Sequence, residues 1–158
     1  HMKNIFRMAA AIAITVVSLN AGSVLAMGDK DPAEKAAENY KEAVSAVKNK
    51  DYDEAIDKLK EVLEADSRNA DALNYMGFSY RKLGKYDQAF NYYTRALKVD
   101  GDHKGAHEYI GEAYLEKNQP AKAKKHLDRL AKLCNSSCEE YTELKKAWDK
   151  WQAKQKRS

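Results

Sequence analysis

The chain has 158 residues, a third of them charged, with 28 basic against 24 acidic side chains and a formal net charge of +4. So mild an excess does not favour a nucleic-acid-binding protein, which needs a concentrated basic surface. Only two prolines and seven glycines occur, and no alternating strand pattern or Gly/Ser-rich linker is visible, so the composition favours one all-helical domain.

Residues 1–26 read as a secretory signal peptide, in which His1 is a cloning remnant before Met2. Lys3 and Arg7 form a short basic region, and residues 8–19 (MAAAIAITVVSL) are uncharged and almost wholly apolar. The segment ends in Val-Leu-Ala, which predicts cleavage after Ala26. A retained membrane anchor is the alternative, but about a dozen apolar residues fall short of the ~20 that span a bilayer. We therefore expect an exported, periplasmic protein that meets the membrane only through its uncleaved signal segment.

A first pair of helices is expected after the signal peptide. Asp31 can cap a helix that has Pro32 at its first position. The turn Lys-Asp-Tyr at 50–52 leads into a second helix, whose inner residues are Ala55, Leu59, Val62 and Leu63.

A second pair of helices is expected at residues 70–102. The first helix spaces its inner residues three and four apart, and these are Leu73, Met76, Gly77, Tyr80 and Leu83. Gly84 suits a left-handed position after the helix end. The next helix continues with Ala89, Tyr93, Ala96 and Leu97. We expect Gly77 and Ala89 to be small because two helix backbones approach each other closely where they cross.

A third pair turns at Asn118 and Pro120, since asparagine tolerates the left-handed conformation and proline can begin a helix. A last helix follows at about residues 139–155, with a capping box expected from Ser137 and Glu140. Its apolar stripe lies opposite a charged face, as in a helix that covers the end of an array, and consists of Tyr141, Leu144, Trp148 and Trp151.

A shift of 34 residues aligns the three pairs, placing Ala89 on Ala55 and Ala123. A generic helical bundle, the alternative, has no reason to keep one period. The central unit has a small residue, an aromatic residue three later, Gly-x-Tyr at the turn, then Ala and Ala-Leu. This pattern resembles a tetratricopeptide repeat (TPR), here in an exported bacterial protein. The resemblance implies an all-α, right-handed solenoid within residues 31–137, with units at about 36–69, 70–103 and 104–137 and a capping helix at 138–155.

In such repeats the first helix of each unit lines a concave face, where arrays bind extended peptides or partner helices. The matched positions are our candidate partner-binding residues: Tyr40, Val44, Val47, Asn74, Phe78, Arg81, Lys82, Glu108, Glu112, Leu115 and Glu116. They predict a groove that is apolar at one end, basic in the middle and acidic at the other. The three glutamates are either ordinary solvated acids or a strip that meets a basic segment of a partner.

One branch of the family grips C-terminal carboxylates with Lys and Asn in its first units. Tyr40 and Val44 stand at the matching positions here, so a receptor for chaperone tails is not expected. Asn74, Arg81 and Lys82 remain as groups that can hold a carboxylate or a peptide backbone.

Cys134 and Cys138 are the only cysteines, and Asn-Ser-Ser between them suits a turn. Because thiols pair in an oxidising compartment, we predict a structural disulfide that braces the corner before the last helix. A redox pair or a set of metal thiolates is the alternative, but a redox pair usually has two intervening residues and a zinc site needs more ligands.

No catalytic residue, metal site or cofactor is predicted. His103 and His107 lie one helical turn apart, but the His-Glu-x-x-His motif is absent, as are nucleophile, phosphate-loop, dinucleotide and haem motifs. The sequence favours a non-enzymatic adaptor that binds a peptide or protein. A self-associating assembly protein is the first alternative, which exposure of Trp151 beside apolar residues would support. A secreted redox or metal-binding protein is the second.

Overall fold

The computed structural model describes residues 30–157, which contain seven α-helices and no strand. The helices are α1 (Pro32–Lys48), α2 (Tyr52–Ala65), α3 (Ala70–Lys82), α4 (Tyr86–Val99), α5 (Lys104–Glu116), α6 (Pro120–Cys134) and α7 (Glu139–Gln155). The predicted signal peptide lies outside the described residues. In the described part, no helix is long and apolar enough to cross a membrane.

The helices pair in sequence and the pairs stack. α1 packs on α2, α3 on α4 and α5 on α6, and each pair contacts the next. α3 also touches both α1 and α5, whereas α2, α4 and α6 make no such contacts with one another within residues 30–157. The stack therefore curves, with α1, α3 and α5 as an inner row on its concave side. α7 covers the last pair by packing on α5 and α6, and the predicted all-α solenoid with a capping helix is confirmed.

One residue in each turn of a helix pair has a left-handed backbone. These residues are Lys50 (φ 64°), Gly84 (φ 74°) and Asn118 (φ 54°), and they recur at the repeat period. Glycine adopts this conformation without strain and asparagine tolerates it, whereas Lys50 carries a β-carbon that disfavours it. The shared conformation lets each second helix fold back on the first in the same way.

Side chains cap four helices at their N-termini by accepting a backbone N–H, and the acceptors are Asp31, Asp51, Asn69 and His103. The capping box predicted for α7 is wrong. Ser137 instead donates its hydroxyl hydrogen to the Cys134 carbonyl oxygen at 2.6 Å, and α7 begins without a side-chain cap.

Small residues of the inner helices make room for large side chains. A β-carbon on Gly77 would lie 2.5–2.9 Å from three atoms of the buried Tyr93 ring, so this glycine accommodates a ring rather than the backbone crossing that we expected. Leu127 stands at the matching position of the third unit and is shorter. Leu144 of α7 fills the space there, with its Cδ2 atom 2.6 Å from where a β-carbon on Gly111 would lie. One leucine therefore fixes α7 against α5.

Candidate partner-binding face

The candidate residues form rows across the concave face, because equivalent positions of α1, α3 and α5 lie side by side. The rows are Tyr40–Asn74–Glu108, Val44–Phe78–Glu112, Val47–Arg81–Leu115 and Lys48–Lys82–Glu116. Val44, Val47 and Phe78 are half-buried and Lys82 is exposed. Three residues that we expected to be open, Asn74, Arg81 and Leu115, are buried.

The middle of the face is not an open basic surface, so our prediction for Arg81 is wrong. Its guanidinium is ion-paired with Glu112 at 2.7 Å and with Glu116 at 3.5 Å, and its side chain is 2% exposed. The guanidinium carbon also lies 5.5 Å from the centre of the Phe78 ring and 5.7 Å from that of Tyr109. The pairing explains why like-charged residues four apart are tolerated on α5, since one arginine neutralises two of them.

Leu115 belongs to the core under the capping helix rather than to an open groove. It packs with Leu127, Leu130 and Leu144, and the half-buried Trp148 and Trp151 complete this cluster. The reason is geometric: α7 packs on α5 and covers the position. Beside it opens a cavity of about 680 Å³, lined by Lys82, Glu112, Leu115, Glu116, Ala147, Lys150, Trp151, Lys154 and Arg157.

A second cavity, of about 330 Å³, opens at the N-terminal half of the inner helices, and we call it the polar cavity. Its lining comes from the row of Tyr40, from neighbouring residues of α3 and α5, from the residue that caps α5 and from the start of α7. It consists of Tyr40, Asp71, Asn74, Tyr75, His103, Gly105, Glu108, Tyr109, Glu139 and Glu140. Burial, reinforced by the carboxylates of Glu112 and Glu140, raises the pKa of Glu108 to about 8. Burial also raises the pKa of Tyr109 to about 12. This end of the face is therefore acidic and poorly hydrated.

A histidine with a fixed tautomer forms one wall of the polar cavity. The Ala106 N–H donates to Nδ1 of His103 at 3.1 Å, so the ring hydrogen is on Nε2. That atom lies 2.8 Å from Oδ1 of Asp71 and donates to it. The contact joins α3 to the start of α5 across the repeat boundary.

Cys134 and Cys138 lie where the last turn of α6 meets α7. Their Sγ atoms are at disulfide distance, with the Cα atoms 5.7 Å apart. Asn135 and Ser136 both have positive φ, which bends the chain between them. Within the described residues, no group of three or more His, Cys, Asp or Glu side chains is placed to hold a metal ion.

The buried His107 and the half-buried His126 touch each other outside the concave face. Nε2 of His107 lies 3.0 Å from the Gly101 carbonyl oxygen, and must donate to it. Nδ1 of His107 is then the acceptor for Nδ1 of His126, 2.9 Å away. Burial lowers the pKa of both rings, that of His126 to about 4. Protonation of His107 would set two N–H groups against each other.

We expect this pair to make stability depend on acidity. Because its folded pKa is below the unfolded value near 6.5, His126 binds fewer protons when folded, so stability is retained above pH 6.5 and falls between pH 6.5 and about 4. Allowing for partial exposure, the loss is up to about 2 kcal/mol. Tyr92 occupies the matching position of the second unit and stacks on Tyr80, with 5.5 Å between ring centres. His126→Tyr should therefore reduce the loss of stability at acidic pH. Urea unfolding at pH 7.5 and 4.5 measures it, and equal losses in both proteins would contradict the assignment.

Sequence reasoning missed two aromatic residues of the concave face, Tyr75 and Tyr109. They line the polar cavity, and Tyr109 also contacts Phe78, with 4.8 Å between ring centres. The signal was present, because they occupy equivalent positions in successive units, beside Asn74 and Glu108.

Comparison with solved structures supports the same architecture. The first TPR of Spaghetti (RPAP3), bound to the HSP90 peptide SRMEEVD, is 25% identical, with a TM-score of 0.65 over 73% of this chain and 92% of that one. The second TPR domain of human RPAP3, in complex with the HSP70 peptide SGPTIEEVD, is 25% identical, with a TM-score of 0.65 over 74% and 98%. The Yersinia enterocolitica translocator chaperone SycD, in an alternative dimer, is 18% identical, with a TM-score of 0.69 over 77% and 95%.

No curated protein sequence matches the chain. Family profiles for the tetratricopeptide repeat match three overlapping or adjacent segments, residues 40–77, 70–103 and 106–134. Together these segments cover the second half of α1, all of α2, α3, α4 and α6, and all but the first two residues of α5. They make up more than half of the sequence. The chain belongs to the tetratricopeptide repeat family.

Proposed function

We propose that the protein is a non-enzymatic adaptor of the periplasm that binds a peptide or partner protein on its concave face. The observation that carries the proposal is the inner row of α1, α3 and α5, on which two cavities open side by side. Spaghetti and human RPAP3, at 25% identity, hold peptides in TPR domains of this kind. A partner that lies along the face would contact both cavities.

The partner's chemistry differs from that of the peptides bound by those relatives. SRMEEVD and SGPTIEEVD are acidic tails, whereas Glu108, Glu139 and Glu140 line one cavity here. Arg81 is buried in its ion pairs, so it is not available to bind an incoming carboxylate. An acidic tail therefore fits the polar cavity poorly.

Export is supported by the sequence of the first 26 residues and by the distance between Cys134 and Cys138, which suits a disulfide in an oxidising compartment.

Self-association was our first alternative, and an exposed Trp151 would have favoured it. Trp151 is instead half-buried in the cap cluster, and its Nε1–H donates to Asn118 Oδ1 at 3.1 Å. The adaptor remains the better supported function.

The experiment is capture from a periplasmic extract by the mature chain beginning at Met27. We expect Phe78→Ala combined with Lys82→Ala to reduce capture at least tenfold, because both side chains lie on the concave face and Lys82 is exposed. Arg81 is left intact, since its replacement would destabilise the fold. The matched control carries Glu64→Ala and Thr94→Ala, both exposed on the outer helices. Equal capture by the two variants would move the binding site off the concave face.

A further inference from the structure

We propose that the polar cavity binds the side chain of a lysine or arginine in a basic segment of the partner. The inference rests on the proposed function and specifies the chemistry of the partner. Four carboxylates, those of Asp71, Glu108, Glu139 and Glu140, lie on the lining. None of the ten lining residues is lysine or arginine, and His103, which hydrogen-bonds Asp71, is the one histidine among them.

The carboxylate best placed to receive a cation is that of Glu108. Within residues 30–157, no hydrogen bond or ion pair joins it to another side chain, although Glu112 on the next turn is paired with Arg81. A carboxylate in a poorly hydrated site gains more from a cation than an exposed one does, because water screens it less. Glu108 is therefore the carboxyl group of the lining that a bound cation would ionise.

A buried acceptor points to the same kind of ligand. Asn74 is 4% exposed, and its Oδ1 atom has no hydrogen-bond partner among the described residues. A buried acceptor left unpaired costs about 1–3 kcal/mol. Lysine and arginine side chains carry only donors, three and five N–H bonds respectively. Such a group would satisfy Asn74 while its charge meets Glu108, which a second carboxylate or an apolar side chain would not do.

Three tyrosines complete the walls. Tyr40 and Tyr75 meet edge to face, with 6.1 Å between ring centres, and Tyr109 lies on the next helix. Aromatic faces attract ammonium and guanidinium groups when these come within about 6 Å of the ring centre. A volume of about 330 Å³ takes one long side chain, with its alkyl part along the rings and its charged end at Glu108. The combination of rings and carboxylates favours a cationic side chain over a hydrated metal ion.

Binding of a cation should also release a proton. The raised pKa of Glu108, about 8, means that this carboxyl is largely protonated at neutral pH, and a cation favours its ionised form. The groups that face it are Glu112, Arg81, Glu140 and Glu143, together with Asp71, His103 and the three tyrosines of the lining. Affinity should therefore rise between pH 7 and 8.5, and Glu108→Gln should remove this rise.

The test uses three short blocked peptides that are identical except for a central lysine, arginine or norleucine, titrated into the mature protein by NMR. We expect saturable shifts of the Asn74, Gly105 and Glu108 amides with the lysine and arginine peptides and none with norleucine. Glu108→Gln should weaken binding about tenfold or more, as loss of a charged hydrogen bond does. Glu64→Gln on the outer side of α2 is the control with the same Glu-to-Gln substitution at an exposed position, and it should bind as the unaltered protein does.

The proposal is overturned if norleucine binds as well as lysine, or if Glu108→Gln leaves both the affinity and its pH dependence unchanged. If methylammonium binds at the same site as tightly as the lysine peptide does, the ligand is a small free cation and the proposed peptide side chain is overturned. If neither the lysine nor the arginine peptide binds while the mature protein still captures a partner through its concave face, only the cavity assignment is overturned. Failure of capture with peptide binding intact would overturn the adaptor function instead.

Discussion

Replacing Leu144 by alanine is expected to lower the free energy of unfolding by about 2–5 kcal/mol, as truncation of a fully buried leucine does. Leu144 is 0% exposed and fills the space beside Gly111, where α7 meets α5. Urea unfolding followed by circular dichroism measures the loss. Lys146→Ala, an exposed position on the same helix, is the control and should change the free energy by less than about 0.5 kcal/mol.

The same contact can be tested from the other side. Gly111→Ala would place a β-carbon 2.6 Å from Leu144 Cδ2, so it should destabilise the protein by about 1–3 kcal/mol through overpacking. In the double variant the shortened side chain at position 144 leaves room for the new methyl group. The double variant should therefore lose less free energy of unfolding than the sum of the two single losses. Additive losses would mean that α7 does not pack on α5 through this pair.

Replacing Arg81 by methionine is expected to cost up to about 3 kcal/mol, because it leaves Glu112 and Glu116 without their cation. The expected loss lies at the lower end of the range for buried pairs, since the side chains of Glu112 and Glu116 are 23% and 43% exposed. Chemical unfolding at pH 7 measures the change. Lys82→Met removes the neighbouring but exposed charge and should be nearly neutral.

A double-mutant cycle separates the ion pair from simple packing. Glu112→Gln alone should also destabilise, because Arg81 loses its 2.7 Å partner. Combined with Arg81→Met, the total cost should be smaller than the sum, since a buried charge no longer remains unpaired. Strict additivity would show that Arg81 and Glu112 are not energetically coupled.

Most of the fold could be predicted because each unit repeats the same local sequence features. The left-handed turn residues at Gly84 and Asn118 followed from residue type, and so did the cap at Asp31. The buried row of Ala55, Ala89 and Ala123 followed from the period. All of these features act within one pair of helices, where spacing along the sequence is enough.

What could not be predicted depends on contacts between units. Arg81 and Glu112 were expected on the same face. Sequence spacing does not show, however, whether such a side chain points into solvent or toward the neighbouring helix. The position of Leu144 depends on Leu127 being shorter than Tyr93, which matters only once α7 is placed. The pairing of His107 with His126 likewise joins α5 to α6 through side chains. The polar cavity needs all three units and α7 together.

Site-specific photo-crosslinking in cells that express the full chain shows whether the partner binds on the concave face. A benzophenone amino acid is placed at position 82, exposed at the end of α3, or at position 94, exposed on the outer helix α4. We expect a crosslinked partner from position 82 and none from position 94. Crosslinks from position 94 with none from position 82 would contradict it.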